Sequence, residues 1–116
     1  MLAFFKSFVF AINGFIQLIK SERNFIVQFI IFLLVLGISF YFKISKIEWL
    51  FILLCSLMVF CLEALNTSIE KLCDFVQPEM DEKIKIIKDI SAAAVFIVSM
   101  FSGIIGIIIF WKYLIR

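Results

Sequence analysis

Residues 49–74 read WLFILLCSLMVFCLEALNTSIEKLCD, and the way this stretch meets a membrane decides the fold. Its apolar part, residues 49–62, covers only about 21 Å as a helix, whereas the hydrocarbon core of a bilayer is about 30 Å thick. The run is about six residues short of a crossing. To cross, the helix must continue through Glu63, Ala64, Leu65, Asn66, Thr67, Ser68 and Ile69, which carries Glu63 and Asn66 into the membrane or to its margin. A carboxylate at that depth costs about 3 kcal/mol on insertion scales, so it persists where it has a task or a partner.

Outward from this segment the chain stays apolar. Of 116 residues, 65% are hydrophobic and 17% charged, with 16 Phe, 4 Gly and 1 Pro. A soluble domain is about half apolar and about a quarter charged, so a water-soluble globule is excluded. A turn-rich β-sandwich and a disordered chain are excluded as well. The length allows one membrane domain, residues 1–116. Residues 25–42, interrupted only by Gln28, Gly37 and Ser39, give about 27 Å of helix and a first span. The second span is expected at about 48–72 and the third at about 89–112, with Trp49 and Trp111 at span ends, where interfacial aromatics sit.

Residues 1–24 differ. Lys6, Asn13, Gln17, Lys20 and Asn24 recur at helical spacing and form one polar stripe, while Phe4, Phe5, Phe8, Phe15 and Ile19 cover much of the rest. This pattern predicts an amphipathic helix lying along the interface, either as an anchor or as a lid over a lipid-side site. No small-residue cleavage site follows it, so it does not read as a targeting peptide. The expected fold is an all-α membrane protein: an N-terminal amphipathic surface helix plus three transmembrane helices.

Charge near the span ends sets the expected orientation. Lys6, Lys20, Arg23, Lys71, Lys83, Lys85 and Lys88 outnumber Lys43, Lys46, Lys112 and Arg116. The excess places the N-terminus and the segment 71–89 in the cytoplasm and the C-terminus outside. Pro78 is the strongest break, and Asp89 and Ser91 stand where they can cap the last helix.

The chain has no His, which removes Ser-His-Asp and Cys-His catalysis and the common zinc sites. Cys55, Cys61 and Cys73 lack C-x-x-C spacing and read as apolar fillers. A formal net charge of +2 is too weak to argue for nucleic acid. There is no Walker-type Gly-rich loop.

What remains is one helical face. Glu63, Asn66, Glu70 and Asp74 follow one another at steps of three, four and four, so they stack along the same side, rising from membrane depth toward water. Glu63 and Glu70 lie about 10 Å apart along the axis, too far to chelate one ion readily. Glu70 near the surface, with Glu22 at the same expected depth, suits Mg²⁺, which takes one or two carboxylates plus phosphate oxygens and water. Glu63, deeper, can accept a proton from a lipid hydroxyl. Lys88 offers a cation to phosphates arriving from water. Together these are the parts of a phosphoryl-transfer site. The same residues also admit a structural reading, in which Glu63 and Asn66 join helices by interhelical hydrogen bonds and the chain is a non-catalytic helical membrane protein.

The motifs resemble the small bacterial membrane lipid kinases, diacylglycerol kinase and its relative undecaprenol kinase, from about residue 7 to residue 113. The strongest element is Glu63-Ala64-Leu65-Asn66-Thr67-Ser68-Ile69-Glu70 followed by Asp74. Lys88-Asp89 before Ser91-Ala92-Ala93-Ala94-Val95 matches a second element. Phe10-Ala11 and Gly14, with Glu22, Asn24 and Phe25, match the N-terminal one. The resemblance implies a homotrimer of the bacterial plasma (inner) membrane whose active sites combine neighbouring protomers, using ATP and Mg²⁺. It implies Glu63 as catalytic base, Glu22 and Glu70 as metal ligands, and Glu63 with Asn66 at the lipid. Phe10, Glu22, Glu70, Glu79, Met80, Asp81, Lys88 and Asp89 match its ATP-contacting positions.

The implied reaction is ATP-dependent phosphorylation of diacylglycerol to phosphatidic acid at the cytoplasmic interface, or of undecaprenol to undecaprenyl phosphate. Glu63-Ala64-Leu65-Asn66-Thr67 looks more like the undecaprenol branch. The chain departs from the family at Met80 and Asp81, where an aromatic and a His are usual. It departs also at Val9 and Ile26, often basic, and at Gln28, often His. The lost positive charge is expected to weaken ATP binding.

Overall fold

The computed structural model describes residues 1–115 and contains four α-helices: α1 (Leu2–Ser21), α2 (Arg23–Phe42), α3 (Lys46–Val76) and α4 (Glu82–Leu114). There is no strand among the described residues. All four helices are long and apolar enough to cross a membrane. Large apolar side chains stand exposed along all of them, and α1 buries no residue at all. Such a surface suits lipid, or other protein within lipid, and makes this an all-α membrane protein.

α1 and α2 are separated by one residue. Glu22 leaves helical geometry at φ −120° and ψ 106°, donates its backbone N–H to the Leu18 carbonyl at 2.9 Å, and opens α2 as its N-cap. The turn of α1 nearest this break is tied back by Phe15, whose ring meets Phe25 edge-on at 5.7 Å. α2 ends at Lys43, which takes the left-handed conformation at φ 52° and ψ 56°. The amides of Lys43 and Ile44 there return to the Phe40 and Ser39 carbonyls, closing the last turn.

α3 starts at a capping box. Ser45 Oγ accepts from the Glu48 amide, and Glu48 Oε1 accepts from the Ser45 amide at 2.9 Å, satisfying two backbone donors that a helix start leaves open. Its 31 residues span about 46 Å, so α3 is longer than the hydrocarbon core of a bilayer is thick. The helix runs unbroken through Glu63 to Ile69, the continuation that the short apolar run demands.

The start of α4 corrects an expectation. Asp81 is the cap, accepting from the amides of Lys83 at 2.9 Å and Ile84 at 3.3 Å. Asp89 and Ser91 therefore lie inside the helix and cap nothing. The reason is that Asp81 precedes Glu82 and Lys83 directly after the Pro78 break, so its carboxylate reaches the first free amides before any later residue can. α4 packs along α3 over most of its length, whereas α2 touches α3 more lightly. Near the α2–α3 turn, Ile44, Ile52 and Ile109 form a small core, covered by Val35, Phe42, Trp49, Ile105, Phe110 and Tyr113.

Candidate functional site

The site is assembled where α2 leans against the middle of α3. On α2, Phe25, Gln28, Phe29 and Phe32 fall at i, i+3, i+4 and i+7 and share one face. The three rings converge on Phe60 of α3, with centroids at 5.4 Å from Phe25, 6.1 Å from Phe29 and 5.4 Å from Phe32. One turn further along α3 from Phe60 stands Glu63. The aromatic cluster therefore fixes the rotation of α2 so that Gln28, the polar residue on that face, reaches Glu63. Its Nε2 donates to Glu63 Oε2 at 3.2 Å.

Along α3 the acidic face emerges step by step. Glu63 is 3% exposed and Asn66 8%; Glu70 is half-buried; the Asp74 side chain is 64% exposed. Asn66 Nδ2 donates to Glu70 Oε1 at 3.2 Å, so Asn66 orients the outer carboxylate while lying directly above the inner one. Glu22, half-buried at the α1–α2 break, and Glu70 are both near enough for their charges to act on Glu63. Lys88 of α4 is paired with Asp74, and the charge of Glu70 reaches it too. Five charged groups from three segments of the chain thus converge, with Lys88 and Asp74 at the exposed edge and Glu63 at the enclosed floor.

Hydrogen bonding around Glu63 is incomplete. Gln28 Oε1, Asn66 Oδ1 and Thr67 Oγ1 are enclosed and have no partner among the described residues. A buried polar atom left unpaired costs about 1–3 kcal/mol, and native structures keep few of them. All three belong to side chains flanking one carboxylate: Asn66 and Thr67 follow Glu63 by three and four positions on the same face, and Gln28 bonds to it. The arrangement suits a ligand that supplies hydroxyl hydrogens or bound water at that level.

Other sequence candidates lie apart from this cluster. Phe10 is 70% exposed on α1 and Met80 93% exposed in the α3–α4 turn. Glu79 is exposed beside Met80. Asp81 is engaged as the α4 cap, and Asp89 is paired with Lys85 at 2.7 Å on the α4 surface. Gln28 enters the site as well, although in the sequence it stands out as an interruption of the first span and a departure from the family pattern. The signal for it was present: a single amide in an apolar run, in phase with three Phe.

No group of three or more His, Cys, Asp and Glu side chains among the described residues is arranged to hold a metal ion by itself. Glu22 and Glu70 are carboxylates, the donor type that Mg²⁺ takes beside phosphate oxygens and water.

Comparison with known proteins gives two findings. The sequence model of the prokaryotic diacylglycerol kinase family matches residues 9–110. An undecaprenol kinase from Bacillus subtilis (strain 168) is 39% identical over 107 residues, covering 92% of this chain and 87% of that protein.

Proposed function

The chain belongs to the prokaryotic diacylglycerol kinase family and is a membrane lipid kinase, and from that premise we propose that it transfers the γ-phosphoryl group of ATP to the hydroxyl of a polyprenol such as undecaprenol. The single observation that carries the reading is the convergence on Glu63: an enclosed carboxylate at the floor of the site, a second and a third carboxylate above it, and Lys88 at the rim.

In this reading Glu63 takes the hydroxyl proton as the lipid oxygen bonds to the γ-phosphorus and the bond from that phosphorus to the β-bridging oxygen breaks, releasing ADP. Glu22 and Glu70 are the residues that would hold Mg²⁺, which would supply neutralisation of phosphate charge there. Lys88 leaves Asp74 for the phosphates, and Asn66 borders the lipid. Phe10, Glu79, Met80, Asp81 and Asp89 line the approach of the nucleotide. Catalysis is then mostly positioning plus charge stabilisation, with general base assistance of about 10²–10⁴-fold.

The choice of polyprenol rests on the near full-length similarity to an undecaprenol kinase. Diacylglycerol is the second acceptor, favoured by the description of the family that matches. The Lys and Arg distribution supports placing the site on the cytoplasmic face of the bacterial inner membrane, where ATP is available.

A homotrimer with shared sites completes the reading. A cleft of about 1370 Å³ opens between α2 and α4, and Gly37, Ser99, Ser102, Gly103 and Gly106 are among its lining residues. A Cβ on Gly37, Gly103 or Gly106 would meet nothing within 4 Å. The fold of one protomer therefore does not require these glycines, and they leave room for the close approach of a helix from another copy.

The test is direct. Purified protein is given ATP labelled on its γ-phosphate, Mg²⁺, and either undecaprenol or diacylglycerol in mixed micelles. Label is expected in the polyprenyl phosphate, with less in phosphatidic acid. Preferential labelling of diacylglycerol would reverse the substrate assignment, and labelling of neither lipid would remove the activity.

A further inference from the structure

Gln28 bonds to Glu63 and has no role in the reaction above. The geometry points to Gln28 as a positioning residue for phosphoryl transfer, its side-chain amide holding the Glu63 carboxylate in the orientation that receives the lipid's proton. This inference rests on the reading of Glu63 as the base.

The first support is the bond itself. Gln28 Nε2 donates to Glu63 Oε2, so one carboxylate oxygen is engaged while Oε1 remains available for the incoming hydroxyl. A donor to one oxygen removes rotational freedom from a side chain that is otherwise free to turn. The second is the anchoring of Gln28. Phe25, Phe29 and Phe32 on its own face are packed on Phe60, one turn from Glu63, which sets the height and direction of the amide.

The third is the enclosed, unpartnered Gln28 Oε1. A base that works in cycles exists as carboxylate and as acid. With the proton on Oε1, Oε2 still accepts, so the bond from Gln28 Nε2 survives proton uptake. The free amide oxygen beside it is an acceptor that a hydroxyl entering the site can meet, a second role that a purely donating side chain such as Lys cannot fill.

The experiment compares Gln28→Met, which keeps length and removes the amide, with Gln28→His, which restores an N–H donor and an acceptor. In the lipid-phosphorylation assay, Gln28→Met is expected to lower kcat by about 10- to 100-fold, the worth of a hydrogen bond to a charged group, with KM for ATP unchanged. Gln28→His is expected to recover most of the loss. Infrared spectra of protein carrying ¹³C-labelled Glu carboxylates provide a readout independent of turnover. The Glu63 band, identified by its absence in Glu63→Gln, is expected to shift in Gln28→Met.

Wild-type kcat in Gln28→Met, a rise in KM for ATP in place of a fall in kcat, a His variant no better than Met, or an unshifted Glu63 band each overturn the inference while leaving the kinase reading intact. A wild-type protein that phosphorylates neither lipid overturns both.

Discussion

The two ends of α3 hold carboxylates in opposite states. Near the Ser45 end, Glu48 accepts from the Ser45 amide, pairs with Lys112 at 2.8 Å and receives the Tyr113 hydroxyl. One acidic side chain there closes a helix cap and pins the end of α4 to the start of α3. Beside it Phe42 stacks on Tyr113 at 5.6 Å, over the Ile44–Ile52–Ile109 core. Toward the other end, among the described residues, Glu63 has one partner, Gln28, and the surrounding amides and hydroxyl leave three enclosed atoms unpaired. The first arrangement spends its polar groups on holding helices together. The second holds them in reserve, as a site does that must bind something else.

That contrast yields predictions, of which the largest concerns Glu63 itself. Glu63→Gln is expected to lower lipid phosphorylation by about 10²–10⁴-fold with helical content and oligomer size unchanged, measured by labelled transfer, circular dichroism and size-exclusion chromatography in detergent. A variant that disassembles while specific activity persists would make Glu63 a structural residue like Glu48. Lys88→Met follows, with KM for ATP expected to rise about tenfold as a phosphate contact is lost. An unchanged KM would confine Lys88 to its pairing with Asp74.

At the Ser45 end the expected pattern inverts. Glu48→Gln is expected to keep transfer close to wild type and to lower the midpoint of thermal unfolding in detergent, because the Lys112 ion pair goes with the charge. The smallest effect is that of Ser45→Ala, which removes one cap acceptor and is expected to cost about 1 kcal/mol of stability, read from denaturant unfolding in micelles. A loss of turnover in either variant, without unfolding, would erase the division between the two ends.

What the sequence reveals depends on whether the signal lies within one helix. The spacing of Glu63, Asn66 and Glu70 places them on one face before any coordinates, because a helix fixes the angle between its own residues. The forced continuation of α3 past Leu62 is legible for the same kind of reason, membrane thickness against rise per residue. Cross-helix partners are not. Gln28 and Glu63 are 35 positions apart, and Glu48 and Tyr113 are 65 apart.

Nothing in a single chain states which face of α2 meets α3 until the Phe25–Phe29–Phe32 stripe is seen closing on Phe60. Capping is hard to read for a different reason. Asp89 and Ser91 look like caps for α4 although Asp81 takes that place, because candidate capping residues outnumber helix ends and geometry chooses among them.

Ser45 and Glu70 are separated by about 37 Å of helix, so a probe bound at one end is silent at the other. Mn²⁺ and ATP added together to ¹⁵N-labelled protein in micelles make that separation measurable, since the ion broadens nearby resonances. The side-chain amides of Gln28 and Asn66 are expected to broaden, with the backbone amides of Ser45 and Glu48 untouched. Broadening at the Ser45 end, or at neither, would contradict the placement of ATP and metal above Glu63.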